Sequence, residues 1–292
     1  MKNKQTILIA GATGNVGKAA AIALVKRGAR VVILGRKESK LQATKETIYN
    51  KLSEAHINYQ ENDVATLVID FSDMDSVRFA AEEALSRFPV INGLVLSVGA
   101  LIQNGPHILS GGHEVMFATN VLGPFLFTQL LIKRMQESDG LVLHVIGPFY
   151  KKIDWDDIES TRNHKAMLAF NRTKTYNRVI AAELARRYAG QISSVAFDPT
   201  YVIDKSDPEL AKRWPSGLTG LLWRILTILI ARSPAVAGEP IAELMLSDRE
   251  RSTINGTMFK LYKRIEKPDK AMNDRVSGKR LWEYLALKTG VS

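Results

Sequence analysis

The segment Gly11-Ala12-Thr13-Gly14-Asn15-Val16-Gly17 joins two stretches of different periodicity. Thr6–Ala10 before it is a short apolar run of strand type. After it, Val16, Ala20 and Leu24 recur at helical spacing through Gly14–Arg27. A strand that turns through glycines directly into a helix leaves few folds open. Glycines let a backbone approach a pyrophosphate closely. The helix start adds unpaired N–H groups and the positive end of the helix dipole. Gly11, Thr13, Gly14, Asn15, Val16 and Gly17 are therefore the candidate phosphate-binding residues, with the strand before and the helix after that such a motif requires.

The same change of period repeats along the chain. Strands are expected at Arg30–Leu34, Ala65–Ile69, Gly93–Ser97, Leu141–Ile146, Ile192–Phe197 and Thr257–Leu261, with long helices over His113–Met135 and Lys165–Tyr188. Strands alternating with helices predict an α/β fold. The form expected is a Rossmann-type doubly wound parallel sheet of about seven strands with helices on both faces. Ligands of such sheets bind beyond the C-terminal ends of the strands. No Ser/Gly/Pro-rich linker, low-complexity stretch or internal repeat divides the 292 residues, so 1–292 is read as one domain.

Zero cysteines exclude disulfides and thiolate metal sites, and no metal is expected. The early apolar run is too short for a signal-peptide core. No stretch reaches the roughly 18 to 20 apolar residues of a membrane span; the nearest, Leu218–Ala231, is broken by Arg224. A cytoplasmic location is the expectation. The formal charge is +10, and residues 251–292 hold ten Lys/Arg against four Asp/Glu, a local excess of six. A solvated surface explains that excess, and contact with anionic lipid is the sharper alternative. No nucleic-acid motif accompanies the charge, so nucleic acid is not an expected partner.

The second strand ends Leu34-Gly35-Arg36-Lys37. An acid there would accept the ribose hydroxyls of NAD. A guanidinium instead grips a 2′-phosphate. Arg36 thus points to NADP(H) as cofactor.

Taken together, these motifs resemble the short-chain dehydrogenase/reductase family, in particular its retinol-dehydrogenase-like branch. Ile69-Asp70-Phe71 is similar to the family segment whose aspartate binds adenine. Leu94-Val95-Leu96-Ser97-Val98-Gly99-Ala100 matches the usual Asn-Asn-Ala-Gly strand end with both asparagines gone. Phe117-Ala118-Thr119-Asn120-Val121-Leu122-Gly123-Pro124-Phe125 matches a specific family stretch. Ile153–Asp157, Glu183–Arg187 and Arg280-Leu281-Trp282-Glu283 match the branch. The glycine spacing differs from the family's usual Gly-x-x-x-Gly-x-Gly. The resemblance spans nearly the whole chain. It implies a nicotinamide cofactor held by Gly11, Thr13, Gly14, Asn15, Val16, Gly17, Arg36, Asp70, Phe71, Ser97, Gly99, Asn120, Lys174, Pro199 and Thr200.

In the family a tyrosine protonates the carbonyl oxygen while the cofactor gives hydride. A lysine lowers the tyrosine pKa and holds the ribose, a serine binds the substrate oxygen, and an asparagine supports a water relay. Here Asn120 and Lys174 are kept. The tyrosine position is Phe170 and the serine position is Gly147. Loss of general acid catalysis is worth about 10² to 10⁴ in rate. Tyr150 and Tyr201 are the candidate replacement donors, and Asp198 is a weaker one. His144 has strand parity opposite to Gly147 and is expected to point away from the site. Lys174 could itself protonate an oxygen if its pKa is lowered, but ribose binding is its expected role.

The segment Leu218–Ile230 is strongly apolar. By resemblance, about 205–235 is a lid over a bulky apolar small-molecule substrate. A buried helix and peripheral contact with a membrane are its other readings. Family members commonly pair through the two long helices, so a homodimer or homotetramer is an expectation. Three functions stay open. One is an NADP(H)-dependent oxidoreductase with a non-standard proton donor. Another is a cofactor-binding cyclase or isomerase without net redox. The third is a catalytically dead regulator.

Overall fold

A computed structural model describes residues 4–162, 164–204, 231–247, 251–266 and 270–291. The expected lid at 205–235 therefore lies outside the described residues except for 231–235, as does the whole of the apolar segment 218–230.

Among the described residues, eight strands form one sheet: β1 Thr6–Ala10, β2 Arg30–Gly35, β3 Val64–Val68, β4 Gly93–Leu96, β5 Leu141–Val145, β6 Ser193–Asp198, β7 Met258–Lys260 and β8 Lys263–Ile265. Their order is β3-β2-β1-β4-β5-β6-β7-β8. All neighbours are parallel except β7 and β8. The central strands are continuous apolar runs because both faces are covered. Ile7 and Ile9 face one helical layer, and Leu8 and Ala10 the other.

The first layer holds α1 Asn15–Lys26, α2 Glu38–Glu54 and, later in the chain, the helix Ala235–Leu246. That later helix crosses α1 closely: a Cβ on Gly238 would lie 2.5 Å from the Ala19 carbonyl oxygen. The second layer holds α3 Met74–Arg87, α4 Val115–Gln136 and α5 Ala166–Arg187. After α6, the helix Ala235–Leu246, come α7 Lys270–Asn273 and α8 Arg275–Thr289. The last of these lies across α4 and α5. Trp282 sits edge-on to Phe125 at 4.9 Å and under the Arg187 guanidinium at 4.9 Å. Part of the face expected to pair two copies is thus covered by the chain's own C-terminal helix.

Two details depart from the sequence reading. The short strand β8, Lys-Arg-Ile, is polar and exposed at the sheet edge, so no apolar alternation announces it. Helix α4 is apolar and long enough to cross a membrane by composition, yet it is mostly buried in the core. It is also not uniform: Ala118–Leu122 forms a wider π-helical turn, a distortion that often marks functional positions. Asn120 lies at its centre.

Candidate active site

The strand order reverses between β1 and β4, so the chain leaves these two neighbours in opposite directions and opens a crevice above their C-terminal ends. Gly11 ends β1 there with φ +77°, a conformation that favours glycine. A Cβ on Gly11 would also lie 2.9 Å from the Ser97 carbonyl. Ser97, just after β4, fixes that contact by donating its hydroxyl to the Ala10 carbonyl at 2.6 Å. Gly14 N–H closes the turn on Gly11 O at 3.0 Å, and Lys18 N–H begins the helical ladder on Gly14 O at 2.9 Å. The amides of Asn15, Val16 and Gly17 precede that ladder. Gly17 is packed hardest: a Cβ would come within 2.5 Å of Gly11 O and 2.6 Å of Ser97 Oγ.

A cleft of about 250 Å³ opens over this turn. Gly11, Thr13, Gly14, Arg36, Phe71, Ser97 and Gly99 line it, together with Leu34, Gly35, Ile69, Val98, Ala100 and Thr119. Arg36 is exposed at its rim, with no ion pair among the described residues. The Asp70 carboxylate braces its own turn, where Oδ1 accepts from the Ser72 amide at 2.9 Å and hydroxyl at 2.7 Å. Thr119, adjacent to Asn120, is a lining residue that no sequence motif singled out.

Deeper in the crevice, α4 and α5 bring Asn120 and Lys174 to the ends of β4 and β5. Asn120 is buried. Its amide closes a reciprocal pair with Ala100: Oδ1 accepts from the Ala100 N–H at 2.8 Å, and Nδ2 donates to the Ala100 carbonyl at 2.9 Å. Nδ2 also reaches Thr173 Oγ1 at 3.2 Å, and Asn177 donates to the Asn120 carbonyl at 3.2 Å. Lys174 is buried and donates to the carbonyls of Val98 at 2.7 Å and Val145 at 3.3 Å. Burial disfavours its charged form and lowers its pKa to about 8.

Phe170 lies one turn before Lys174 on the same helix face. Its ring centroid is 5.6 Å from Nζ. Gly147 follows β5, and a Cβ there would make ordinary contact with Lys174 Cγ at 3.7 Å. The loop after β5 is tied to α5 in two places. Thr175 Oγ1 accepts from the Lys151 amide at 2.9 Å, and the buried Arg178 donates to the Gly147 carbonyl. Neither Thr175 nor Arg178 was legible as a site residue, since both read as helix filler.

Tyr150 and Tyr201 are each a little over 40% exposed, on the loops after β5 and β6, and neither lines the cleft over the glycine turn. His144 is sealed in the core, where burial lowers its pKa to about 3. Asp198 is buried at the end of β6 and accepts from the Thr200 amide at 2.8 Å. Thr200, after Pro199, adopts φ +63°.

Residues 5–147 match the short chain dehydrogenase family profile. The chain is 28% identical over 296 residues to retinol dehydrogenase 12 of Mus musculus, covering 98% of this chain and 87% of that one. It is 26% identical over 302 residues to human retinol dehydrogenase 13, covering 98% and 85%. The chain belongs to the short-chain dehydrogenase/reductase family. Within it, the near full-length matches place the chain on the retinol-dehydrogenase-like branch, an oxidoreductase family that binds nicotinamide cofactors. The fold agrees with solved relatives. An uncharacterised protein of Mycobacterium paratuberculosis superposes with a TM-score of 0.71 at 20% identity, covering 99% of this chain and 94% of that one.

Proposed function

We propose that this dehydrogenase relative uses NADP(H) to interconvert a carbonyl and an alcohol on a bulky apolar small molecule, with a non-standard proton donor. The observation that carries this reading is the continuity of the crevice. A glycine turn with Arg36 at its rim leads to a buried Lys174 beside Asn120.

The residues present suit a dinucleotide. The Gly11 and Gly17 turn holds helix amides open for a pyrophosphate. Arg36 has the geometry and charge for a 2′-phosphate. Lys174 offers donors for a ribose. Asp70, Phe71, Ser97, Gly99, Pro199 and Thr200 complete the proposed contacts. When bound, the nicotinamide supplies or accepts hydride. The protein orients the partners, excludes water and handles the proton.

The apolar substrate is inferred from two sources. Leu101, Phe149, Tyr150, Met167 and Tyr201 are large side chains left exposed. The curated relatives bear the name retinol dehydrogenase. NADP as the cofactor draws support from a Shigella flexneri short-chain dehydrogenase solved with NADP, which shares the fold at 19% identity with a TM-score of 0.65.

The test is a fluorescence titration with NADPH and NADH, followed by assay with all-trans-retinal and all-trans-retinol. NADPH should bind at least tenfold more tightly than NADH, and one of the retinoids should turn over. Equal affinities would remove the NADP assignment. Tight binding without turnover would favour a non-redox or regulatory role.

A further inference from the structure

We propose that Lys174 is the general acid of this site, giving its own proton to the substrate oxygen in place of a phenol. This rests on the oxidoreductase reading above and names the donor that reading leaves open.

The geometry singles out this amine. A protonated lysine has three N–H donors. Two are directed to backbone oxygens, Val98 at 2.7 Å and Val145 at 3.3 Å. The third has no acceptor among the described residues. Around the amine, the surfaces that would accept it are bare. A Cβ on Gly99 would lie only 3.2 Å from Nζ, Gly147 has no side chain, and the Phe170 ring has no oxygen. The long bond to Val145, at 3.3 Å, is the one a ribose hydroxyl can take over, and a substrate oxygen can then supply the acceptor for the third donor.

The other polar groups nearby are engaged. The Asn120 amide is closed on Ala100. The Thr173 hydroxyl donates to the Phe170 carbonyl at 2.7 Å. Asn177 is bound to the Asn120 carbonyl, and Arg178 to that of Gly147. The titratable and charged groups on the surrounding elements are Arg178 on α5, His144 on β5, Asp198 at the end of β6, and Tyr150 and Tyr201 on the loops. Among the described residues none is a hydrogen-bond partner of Lys174, whose bonds there go to backbone oxygens.

Desolvation is the only cause that moves the amine, and it brings the pKa to about 8. A general acid works best with a pKa near the working pH. With a reduced nicotinamide bound, hydride would reach the carbonyl carbon and the C=O π pair would move onto oxygen. An O–H bond forms there as one Lys174 N–H bond breaks. The products are the alcohol, oxidised nicotinamide and a neutral amine, which regains its proton from water after product release.

The experiment compares wild type, Lys174→Arg, and Lys174→Arg combined with Phe170→Tyr, using all-trans-retinal and NADPH. Arginine keeps the cation and the donors but does not give up its proton in the working range. Lys174→Arg should bind NADPH within a few-fold of wild type, yet turn over about a hundredfold more slowly. Adding Phe170→Tyr should recover part of that loss. Wild-type reduction should fall as pH rises through about 8.

A second readout needs no turnover. Nitrogen NMR of the lysine side chains in the cofactor-free protein should show Lys174 titrating near 8 rather than at the ordinary 10.5. Wild-type rates in Lys174→Arg or an ordinary Lys174 titration would each overturn the proposal. If wild type fails to bind NADPH, or binds it without turnover, the oxidoreductase reading itself falls, and this inference with it.

Discussion

The two halves of the crevice are built on different principles. At the β1 end, the shape is made by backbone packed on backbone: Gly11 against the Ser97 carbonyl and Gly17 against the Gly11 carbonyl, with no room for a side chain at either. At the β5 end, the shape is made by side chains over open space. Gly147 would accept a Cβ at 3.7 Å from its nearest neighbour, and Phe170 is half-buried. The first half has little freedom to change without refolding. The second can change its side chains at positions 147 and 170 while β5 and α5 stay in place. The two ends of the crevice can therefore diverge independently on this fold.

That contrast is most exposed at Gly17. Gly17→Val should cost about 3 kcal/mol or more, because its first carbon collides with backbone atoms that cannot move aside cheaply. Thermal or urea unfolding measures this. A stable Gly17→Val protein would mean that the β1 end is as forgiving as the β5 end.

Next in size is the converse change. Gly147→Ser with Phe170→Tyr should fold normally and raise retinal reduction about tenfold to a hundredfold, by returning a hydroxyl pair to the substrate oxygen. Steady-state NADPH oxidation reads the gain. No gain in a folded, NADPH-binding double variant would show that the proton-transfer half has changed at more than these two positions.

Arg36→Asp should weaken NADPH binding by about tenfold, roughly 1.4 kcal/mol, and leave NADH binding little changed. Parallel titrations of both nucleotides check it. Equal loss for the two would assign Arg36 to general charge rather than to the 2′-phosphate.

The smallest effect concerns pH. Lys174 has a folded value of about 8 against an ordinary value of 10.5. Between those values the unfolded chain binds more protons, so this group makes the cofactor-free protein more stable as pH rises. The slope is at most about 1.4 kcal/mol per pH unit. Below about pH 8 both states carry the proton and the slope vanishes. Denaturant unfolding of wild type and Lys174→Met at pH 7 and pH 9 should differ by this slope, absent in the variant. Parallel pH dependences would mean that Lys174 is solvated in the folded protein.

The glycine turn at the β1 end was easy to read in the sequence, because its signal is local. A glycine turn between a strand and a helix, and Arg36 directly after the second strand, can be read within a few residues. The β5 end was named by resemblance at Asn120, Gly147, Phe170 and Lys174, but its wiring was not legible. Lys174 meets Val98, 76 residues away, and Asn120 closes on Ala100 across a π-helical turn. Arg178 holding the Gly147 carbonyl depends on how far α5 leans over β5, and no periodicity reports that. The same limit hid the packing of α8: the Arg280-Leu281-Trp282-Glu283 match does not report that Trp282 seats on Phe125.

The central claim is that this crevice still carries hydride chemistry despite Phe170 and Gly147. It is tested most directly in a single turnover with all-trans-retinal and NADPH deuterated at the hydride position, followed by mass spectrometry of the retinoid. The account predicts one deuterium in the retinol formed by wild type, in slow but complete turnover. Saturating NADPH binding with no deuterium in the retinoid, over a time in which the Gly147→Ser, Phe170→Tyr variant transfers it, would contradict that claim.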